Sequence, residues 1–439
     1  MCGIAGIVST DAGEPIDAAK IHRMCQTILH RGPDDEGIFV KGGVGLGMRR
    51  LSIIDVAGGH QPVFNEDQSI WVVFNGEIYN FRNLRSELQS RGHRFSTHSD
   101  TEVIVHLYEE MECDCVQQLR GMFAFALYDE RRRKLLISRD RLGEKPLHYA
   151  FDGKRLLFGS EIKAIHAVAP ELAEIDRPAL RQYLMFGYVP DPGTCFSEIK
   201  KLPPGHSLEM ENGELRVRQY WDLPEYGTHS PASEQECLEE LEGRLGEAVR
   251  MRLIADVPLG AFLSGGADSS TIVALMARFS PRPVKTFSIG FKKKDFDETP
   301  YARLVAQKFA TEHHELILEP DVMNSVETIS HSLEEPFADA SALPTYFVSC
   351  LAREHVTVAL SGDGGDEIFA GYERYRICLQ DRELPWIPDW ARRFYREHLY
   401  KFVPPSVPGR SLSYSLSLPW HERYLEDVSF KPLHREMNL

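Results

Sequence analysis

The sequence predicts two folds in series: an α+β unit, then an α/β unit on a parallel, doubly wound sheet. Three observations support this. The chain has 439 residues, more than one ordinary domain holds. Its first 200 residues are rich in strand and hairpin patterns. After about residue 235, short apolar strands alternate with helical stretches and glycine loops.

In chain order, Cys2–Gly6 reads as a glycine-rich apolar strand. Helices are predicted near 17–29, 81–90 and 101–111, and a strand at Trp71–Phe74. Phe123–Tyr128 and Lys134–Ser138 flank the charged turn Asp129–Arg132, a hairpin pattern, and Arg155–Phe158 is a further strand. A Pro/Gly-rich stretch runs from Tyr188 to Gly205, and Gly227–Glu234 is polar. The first domain is therefore set at 1–205, the linker at 206–235 and the second domain at 236–439. In the second domain, strands are expected at Val257–Leu263, Val284–Phe291, Leu316–Leu318 and Val356–Leu360. Helices are expected from about Ser269 and at about 299–310.

Composition narrows the function classes. Hydrophobic residues make up 43% and aromatics 10%, enough for sizeable cores. A formal charge of −15 disfavours general binding to nucleic acid or anionic membrane. The eight cysteines show no disulfide or zinc spacing, which points to reduced thiols in a cytoplasm. No apolar run reaches the ~18 residues of a membrane span, and no signal segment opens the chain.

Four short runs carry chemistry in the first domain. Cys2 follows the initiator methionine, so removal of Met1 would put a thiol and an α-amine on one carbon, a nucleophile beside its own base. Arg50, within Arg49-Arg50-Leu51-Ser52-Ile53-Ile54, offers a guanidinium to a carboxylate. Asn75-Gly76-Glu77 ends a strand and offers an amide and a backbone N–H to an oxyanion. Asp100, opening a helix, offers a carboxylate to an ammonium group. Singly, each has a bland reading as surface charge, turn or helix cap. Jointly they are what hydrolysing a free amino-acid amide requires.

The second domain has two glycine loops. Ser264-Gly265-Gly266-Ala267-Asp268-Ser269-Ser270 lies between a strand and a helix. Its backbone N–H groups and the helix N-terminus suit a phosphate, although it is not a GxxxxGK[ST] loop. Ser361-Gly362-Asp363-Gly364-Gly365-Asp366-Glu367 sets three carboxylates among three glycines, a plausible Mg²⁺ site beside ATP phosphates.

The runs MCGIAGI, HRGPDDEG, RRLSIID, FNGEIYN, SDTEVI, GMFAFALYD, SRDRLGEKPL, VPLGAFLSGGADSS and ALSGDGGDE, in this order, resemble the glutamine-hydrolysing asparagine synthetases of the bacterial B type. FADASALPTY and VTVALSGDGGDEIFAGYERY are most similar to an amidotransferase subgroup associated with exosortase and exopolysaccharide gene clusters. The resemblance implies an N-terminal Ntn-hydrolase (class II glutaminase) αββα sandwich and a C-terminal synthetase domain of the ATP-pyrophosphatase type. It implies Cys2 as nucleophile, with Asn75 and Gly76 stabilising the oxyanion. Glutamine would be held by Arg50, Leu51, Ser52, Ile53, Ile54, Glu77 and Asp100. ATP would be held by Leu263, Ser264, Gly265, Gly266, Asp268, Ser269, Ile289, Ser361 and Gly362, with Mg²⁺ on Asp268 and Asp366.

By that resemblance, glutamine, ATP and aspartate are the substrates and ammonia crosses an interdomain tunnel; the sequence leaves the oligomeric state open, a homodimer included. Alternatives remain open at this point: another carboxylate acceptor in exopolysaccharide synthesis, or a glutaminase or binding protein whose synthetase half makes no product. Two departures bear on this. Asp363, the proton-transfer candidate, stands where the familiar enzymes have glutamate, and Asp339-Ala340-Ser341 stands where they have Arg-Ala-Ser. A C-terminal helical segment with a lysine motif is also expected in the family and is not found before Leu439, so a truncated synthetase domain is expected.

Overall fold

A computed structural model describes residues 1–11, 14–224, 232–294, 297–318, 323–382, 387–404 and 406–429. Most of the predicted polar stretch 227–234 lies outside the described residues.

The first half holds twelve strands: β1 (Gly3–Ser9), β2 (Asp35–Lys41), β3 (Val44–Arg50), β4 (Val63–Phe64), β5 (Ile70–Ile78), β6 (Gly121–Asp129), β7 (Lys134–Arg139), β8 (His148–Phe151), β9 (Arg155–Gly159), β10 (Lys200–Lys201), β11 (His206–Glu211) and β12 (Glu214–Gln219). They form two antiparallel six-stranded sheets, β10-β8-β9-β1-β3-β2 and β12-β11-β7-β6-β5-β4. The helices are α1 (Ala18–Thr27), α2 (Phe81–Ser90), α3 (Glu102–Met111), α4 (Ile162–His166) and α5 (Arg177–Phe186).

Strand periodicity explains how these stack. In β6, Phe123, Phe125 and Leu127 point to one face and Ala124 and Ala126 to the other. The large residues pack with Leu84, Leu88, Val103 and Leu107 of α2 and α3. The alanines join Val73, Ile137, Ile4, Met48 and Phe158 in a core shared by both sheets. Ala5 and Ile7 of β1 face outward, onto Ile21, Met24 and Ile165 of α1 and α4. The central strands β1, β3, β6 and β7 are buried on both faces along nearly their whole length, which is why they read as continuous apolar runs. The layers are helix, sheet, sheet, helix, the αββα sandwich that the resemblance implied.

The sequence reading placed residues 206–219 in the linker. They instead form the β11–β12 hairpin, with β11 paired to β7. Asn212 and Gly213 both have positive φ, at 53° and 80°, the Asn-Gly turn that joins two twisted strands. The buried Ser207, Leu208 and Met210 tie the hairpin to the first domain. The hairpin β2–β3 and helix α5 are likewise elements not expected from the sequence.

The second half begins with α6 (Glu234–Arg252), opened by a capping box between Ser233 and Glu236. Strands β13 (Leu259–Phe262), β14 (Lys285–Phe291), β15 (Glu312–Leu318) and β16 (Val358–Leu360) make a fully parallel sheet in the order β15-β14-β13-β16. Helices α7 (Ala267–Phe279) and α8 (Thr299–Phe309) pack on one face, around Val273, Met276 and Ala302. Between α9 (Met323–Ser332) and β16, helix α10 (Ala342–Arg353) covers the other face at Phe287, Ala352 and Val356. Short helices α11 (Gly365–Phe369), α12 (Glu373–Arg382), α13 (Asp389–Phe394), α14 (Arg410–Ser417) and α15 (Trp420–Val428) follow. No helix among the described residues is long and apolar enough to cross a membrane.

The strand order reverses direction between β13 and β16. In open α/β sheets, that switch point is where strand-end loops gather around a ligand.

Candidate functional site

A cleft at the end of β1 and β5 is lined by Met1, Cys2, Arg50, Leu51, Ile53, Ile54, Asn75, Gly76, Glu77 and Asp100. Cys2 sits just before β1, and its Sγ accepts a hydrogen bond from Leu51 N–H at 3.3 Å. Its carbonyl is held by Arg31 Nε at 3.0 Å, and Arg31 is fixed in turn by Glu161 at 2.7 Å.

Asn75 is fully buried on β5, and neither its Oδ1 nor its Nδ2 has a hydrogen-bond partner. An unpaired buried amide is expensive, so one at the wall of a cleft points to a ligand group that completes it. At Gly76 a Cβ would come 2.1 Å from the Met122 carbonyl, so only glycine lets β5 approach β6 there.

Asp100 is held by Ile78 N–H at 2.7 Å and by Ser99 Oγ–H at 3.3 Å. Burial raises its carboxyl to about 6, against the pull of these hydrogen bonds. Glu77 is pushed well above the carboxylate range by burial and then by the neighbouring Asp100. Burial also raises the Cys2 thiol, partly offset by the Leu51 N–H. The Met1 amine, one residue away, is lowered to about 6, chiefly by burial and further by Arg31 and Lys145. At neutral pH this wall therefore favours an uncharged amine beside a thiol.

Two expected residues behave differently. Arg50 lines the cleft, but its two Nη groups donate to the carbonyls of Ile54, Asp55 and Val56. It shapes the 51–56 loop as well as facing the cavity. Ser52 does not line the cleft; its N–H donates to Asp34 at 2.8 Å. Sequence reasoning missed Lys145, Gln61, Ser99, Thr101 and Met122, which complete the walls. Lys145 is a buried cation, lowered by desolvation, and its Nζ lies 3.0 Å from Met122 Sδ. Its run SRDRLGEKPL was visible, but nothing local in it signals that a lysine turns inward.

The second cleft lies at the switch point, between the loops after β13 and β16. It is lined by Ser264, Asp268, Ser269, Ser361, Gly362, Asp363, Asp366 and Glu367, with Phe262 and Tyr372. The loops interlock through glycines: a Cβ on Gly362 would meet Ser269 N at 2.7 Å, and one on Gly365 would meet the Asp268 carboxylate at 2.5 Å. Ser264 Oγ and Ser269 Oγ are 3.0 Å apart, and Gly266 N–H donates to Ser264 Oγ. Asp363 Oδ2 accepts from Ser361 Oγ at 2.9 Å.

Gly265, Gly266, Leu263 and Ile289 stand outside the lining. Gly265, at φ 89°, packs against Tyr301 and Ala302 of α8. Leu263 is buried in the core, its carbonyl bonded by Ser288 Oγ–H. Ile289 pairs with Leu316 within the sheet.

The fold and clefts define a two-part class, a thiol-edged αββα sandwich joined to a switch-point phosphate-loop domain. Comparison with known families agrees: residues 1–221 match the glutamine amidotransferase domain, and residues 240–430 match asparagine synthase. Asparagine synthetase [glutamine-hydrolyzing] 1 of Bacillus subtilis is 38% identical over 431 residues, covering 97% of this chain and 67% of that protein. Putative asparagine synthetase [glutamine-hydrolyzing] 2 of Methanocaldococcus jannaschii is 41% identical over 398 residues, covering 85% and 76%. The chain belongs to the family of glutamine-hydrolysing asparagine synthetases.

Proposed function

We propose that this protein is a glutamine-dependent, ATP-using asparagine synthetase, with glutamine hydrolysed in the first cleft and aspartate amidated at the second. The observation that carries this reading is the gathering of Cys2, Asn75, Gly76, Glu77 and Asp100 around one cleft, with the Asn75 amide unpaired.

In this reading Met1 is removed and the Cys2 α-amine takes the thiol proton as sulfur attacks the glutamine amide carbon. The oxyanion is held by Asn75 Nδ2–H and the Gly76 N–H. Collapse expels ammonia and leaves a γ-glutamyl thioester, which water cleaves to glutamate and free thiol. Asp100 and Glu77 receive the substrate ammonium, and Arg50 its carboxylate. In the second domain, a carboxylate oxygen of aspartate attacks the α-phosphorus of ATP and pyrophosphate leaves. Ammonia then displaces AMP to give asparagine. Ser264, Ser269 and the N-terminus of α7 suit the pyrophosphate.

Asp268 and Asp366 fit Mg²⁺, because Asp268 packs against Gly365 beside Asp366 and both supply hard oxygen donors to one cleft. The ion would neutralise phosphate charge. Asp363 is the proton-transfer candidate, and aspartate the acceptor favoured by the family.

The test is AMP and asparagine formation from ATP, aspartate and glutamine. Cys2→Ala should abolish glutamate release and glutamine-dependent synthesis while ammonia still supports the synthetase step. Retained glutaminase activity in Cys2→Ala would overturn the assignment of the nucleophile. AMP formation that ignores aspartate but responds to another carboxylate would overturn the acceptor.

A further inference from the structure

A second constellation lies outside both clefts. Glu66, in the turn between β4 and β5, His93, after α2, and His106 and Glu109, one helical turn apart on α3, bring one donor atom each to within 4.8 Å of all the others. It is the one such group of three or more metal-ligating side chains among the described residues.

The separations have a pattern. His106 Nδ1 lies 3.1 Å from Glu109 Oε2 and 3.6 Å from Glu66 Oε2. His93 Nδ1 lies 3.4 Å from Glu109 Oε2 and 3.9 Å from Glu66 Oε1. A tetrahedral ion with bonds of ~2.0–2.2 Å sets its ligand atoms about 3.3–3.6 Å apart. The four separations bracket that range, Glu66 offering Oε2 to His106 and Oε1 to His93, so side-chain adjustment would bring one donor of each residue around a single ion.

A second observation concerns the far side of each ring. His93 Nε2 lies 3.1 Å from Glu110 Oε1, and Glu110 is held by Arg91 at 3.0 Å. His106 is fully buried, and its Nε2, without a hydrogen-bond partner, lies 3.8 Å from the buried Glu102. Both rings turn Nδ1 inward; at His93 the Nε2 is hydrogen-bonded to a carboxylate, the arrangement that fixes the tautomer of metal-bound histidine, while His106 Nε2 faces Glu102 without bonding it. Glu109 is oriented too, its Oε1 accepting from Asn65 Nδ2 at 2.9 Å.

We propose that Glu66, His93, His106 and Glu109 form a structural binding site for one divalent transition-metal ion, with Zn²⁺ the best match. Two neutral imidazoles and two carboxylates balance the ion's charge, and the N₂O₂ set suits zinc rather than magnesium or calcium. The ion would staple α3 to the β4–β5 turn and the loop after α2. Because Asp100 lies two residues before α3, the staple also steadies one wall of the first cleft.

The test uses the full chain, stripped with a chelator. Zn²⁺ titration by calorimetry should show one equivalent bound and a rise in Tm. Co²⁺ in its place should give the visible d–d absorption of a tetrahedral site without the near-ultraviolet band of thiolate ligands. His106→Ala risks the core, so the decisive variants are the more exposed His93→Ala and Glu109→Gln. Each should abolish the Co²⁺ band and the Zn²⁺-dependent rise in Tm while far-ultraviolet circular dichroism stays unchanged. Glu110→Gln, which touches His93 but no ion, should weaken binding ~10- to 100-fold. Absence of binding to the wild-type chain would overturn the proposal. So would an unchanged Co²⁺ band in both decisive variants, or a thiolate band showing the ion on cysteine.

Discussion

Asn75 exposes the logic of the first cleft at the scale of one residue. Both atoms of its amide are buried and unpaired. If that amide meets an oxyanion that develops during reaction, Asn75→Ala should lower kcat for glutamine hydrolysis ~100- to 1,000-fold and leave KM little changed. Steady-state glutamate release measures this, and a loss confined to KM would count against the oxyanion role. Asp100 adds a pH signature. Burial raises its carboxyl to about 6, and only the ionised form attracts an ammonium group. The kcat/KM for glutamine should therefore fall as pH drops through about 6. Asp100→Asn should remove that limb along with most of the activity, and a wild-type profile flat from pH 5 to 8 would rule the role out.

At the scale of elements, the second site depends on how closely two loops approach. Gly362→Ala would force a methyl against Ser269 N. We expect ATP-dependent pyrophosphate release to drop at least ~10-fold, because backbone there cannot yield as a side-chain tip can. Glutamine hydrolysis should be untouched; normal pyrophosphate release would show that the loops do not close on the nucleotide. Such loops were legible in the sequence because strand, glycines and helix follow in order. So were Cys2 and Asp100, each beside an element boundary, and Asn75, which was read at a strand end but lies within β5, three residues before its last. The hairpin β11–β12 was not: the Asn212-Gly213 turn that closes it went unread behind a Pro/Gly-rich run. Lys145, Gln61 and Met122 were not, because they reach the cleft through folding of distant segments. The set of Glu66, His93, His106 and Glu109 escaped for the same reason: its members span a turn, a loop and a helix, and only His106 and Glu109 share a short spacing.

At the scale of the whole molecule, the two halves meet through carboxylates. Glu334 accepts from the N–H groups of Ile162 and Lys163, and Glu335 from Cys195 N–H and Lys201 Nζ. Burial raises the Glu334 carboxyl to about 7, against those backbone hydrogen bonds. The folded state thus holds this proton more tightly than the unfolded chain. Glu334 contributes stability that is fully present below about 4.5 and is lost as pH rises toward 7. Glu334→Gln should flatten this part of the dependence of Tm on pH between 5 and 7. A wild-type slope in the variant would show that the contact does not titrate. Asp256, just ahead of β13, accepts from Asp55 N–H at 2.8 Å and donates its own N–H to the Ile53 carbonyl. One loop therefore touches the first cleft and the second domain together.

Strand β1 runs between β3 and β9, with the shared core on one face and α1 on the other. Its amides are paired in-plane to β3 and β9 and covered on both faces, so Ala5 and Ile7 should exchange hydrogen at the rate of global unfolding. Cys2 hangs from the end of that strand. A thiol anchored there has little positional freedom left to lose on reaching its target, so the rigidity of the sandwich becomes part of its reactivity.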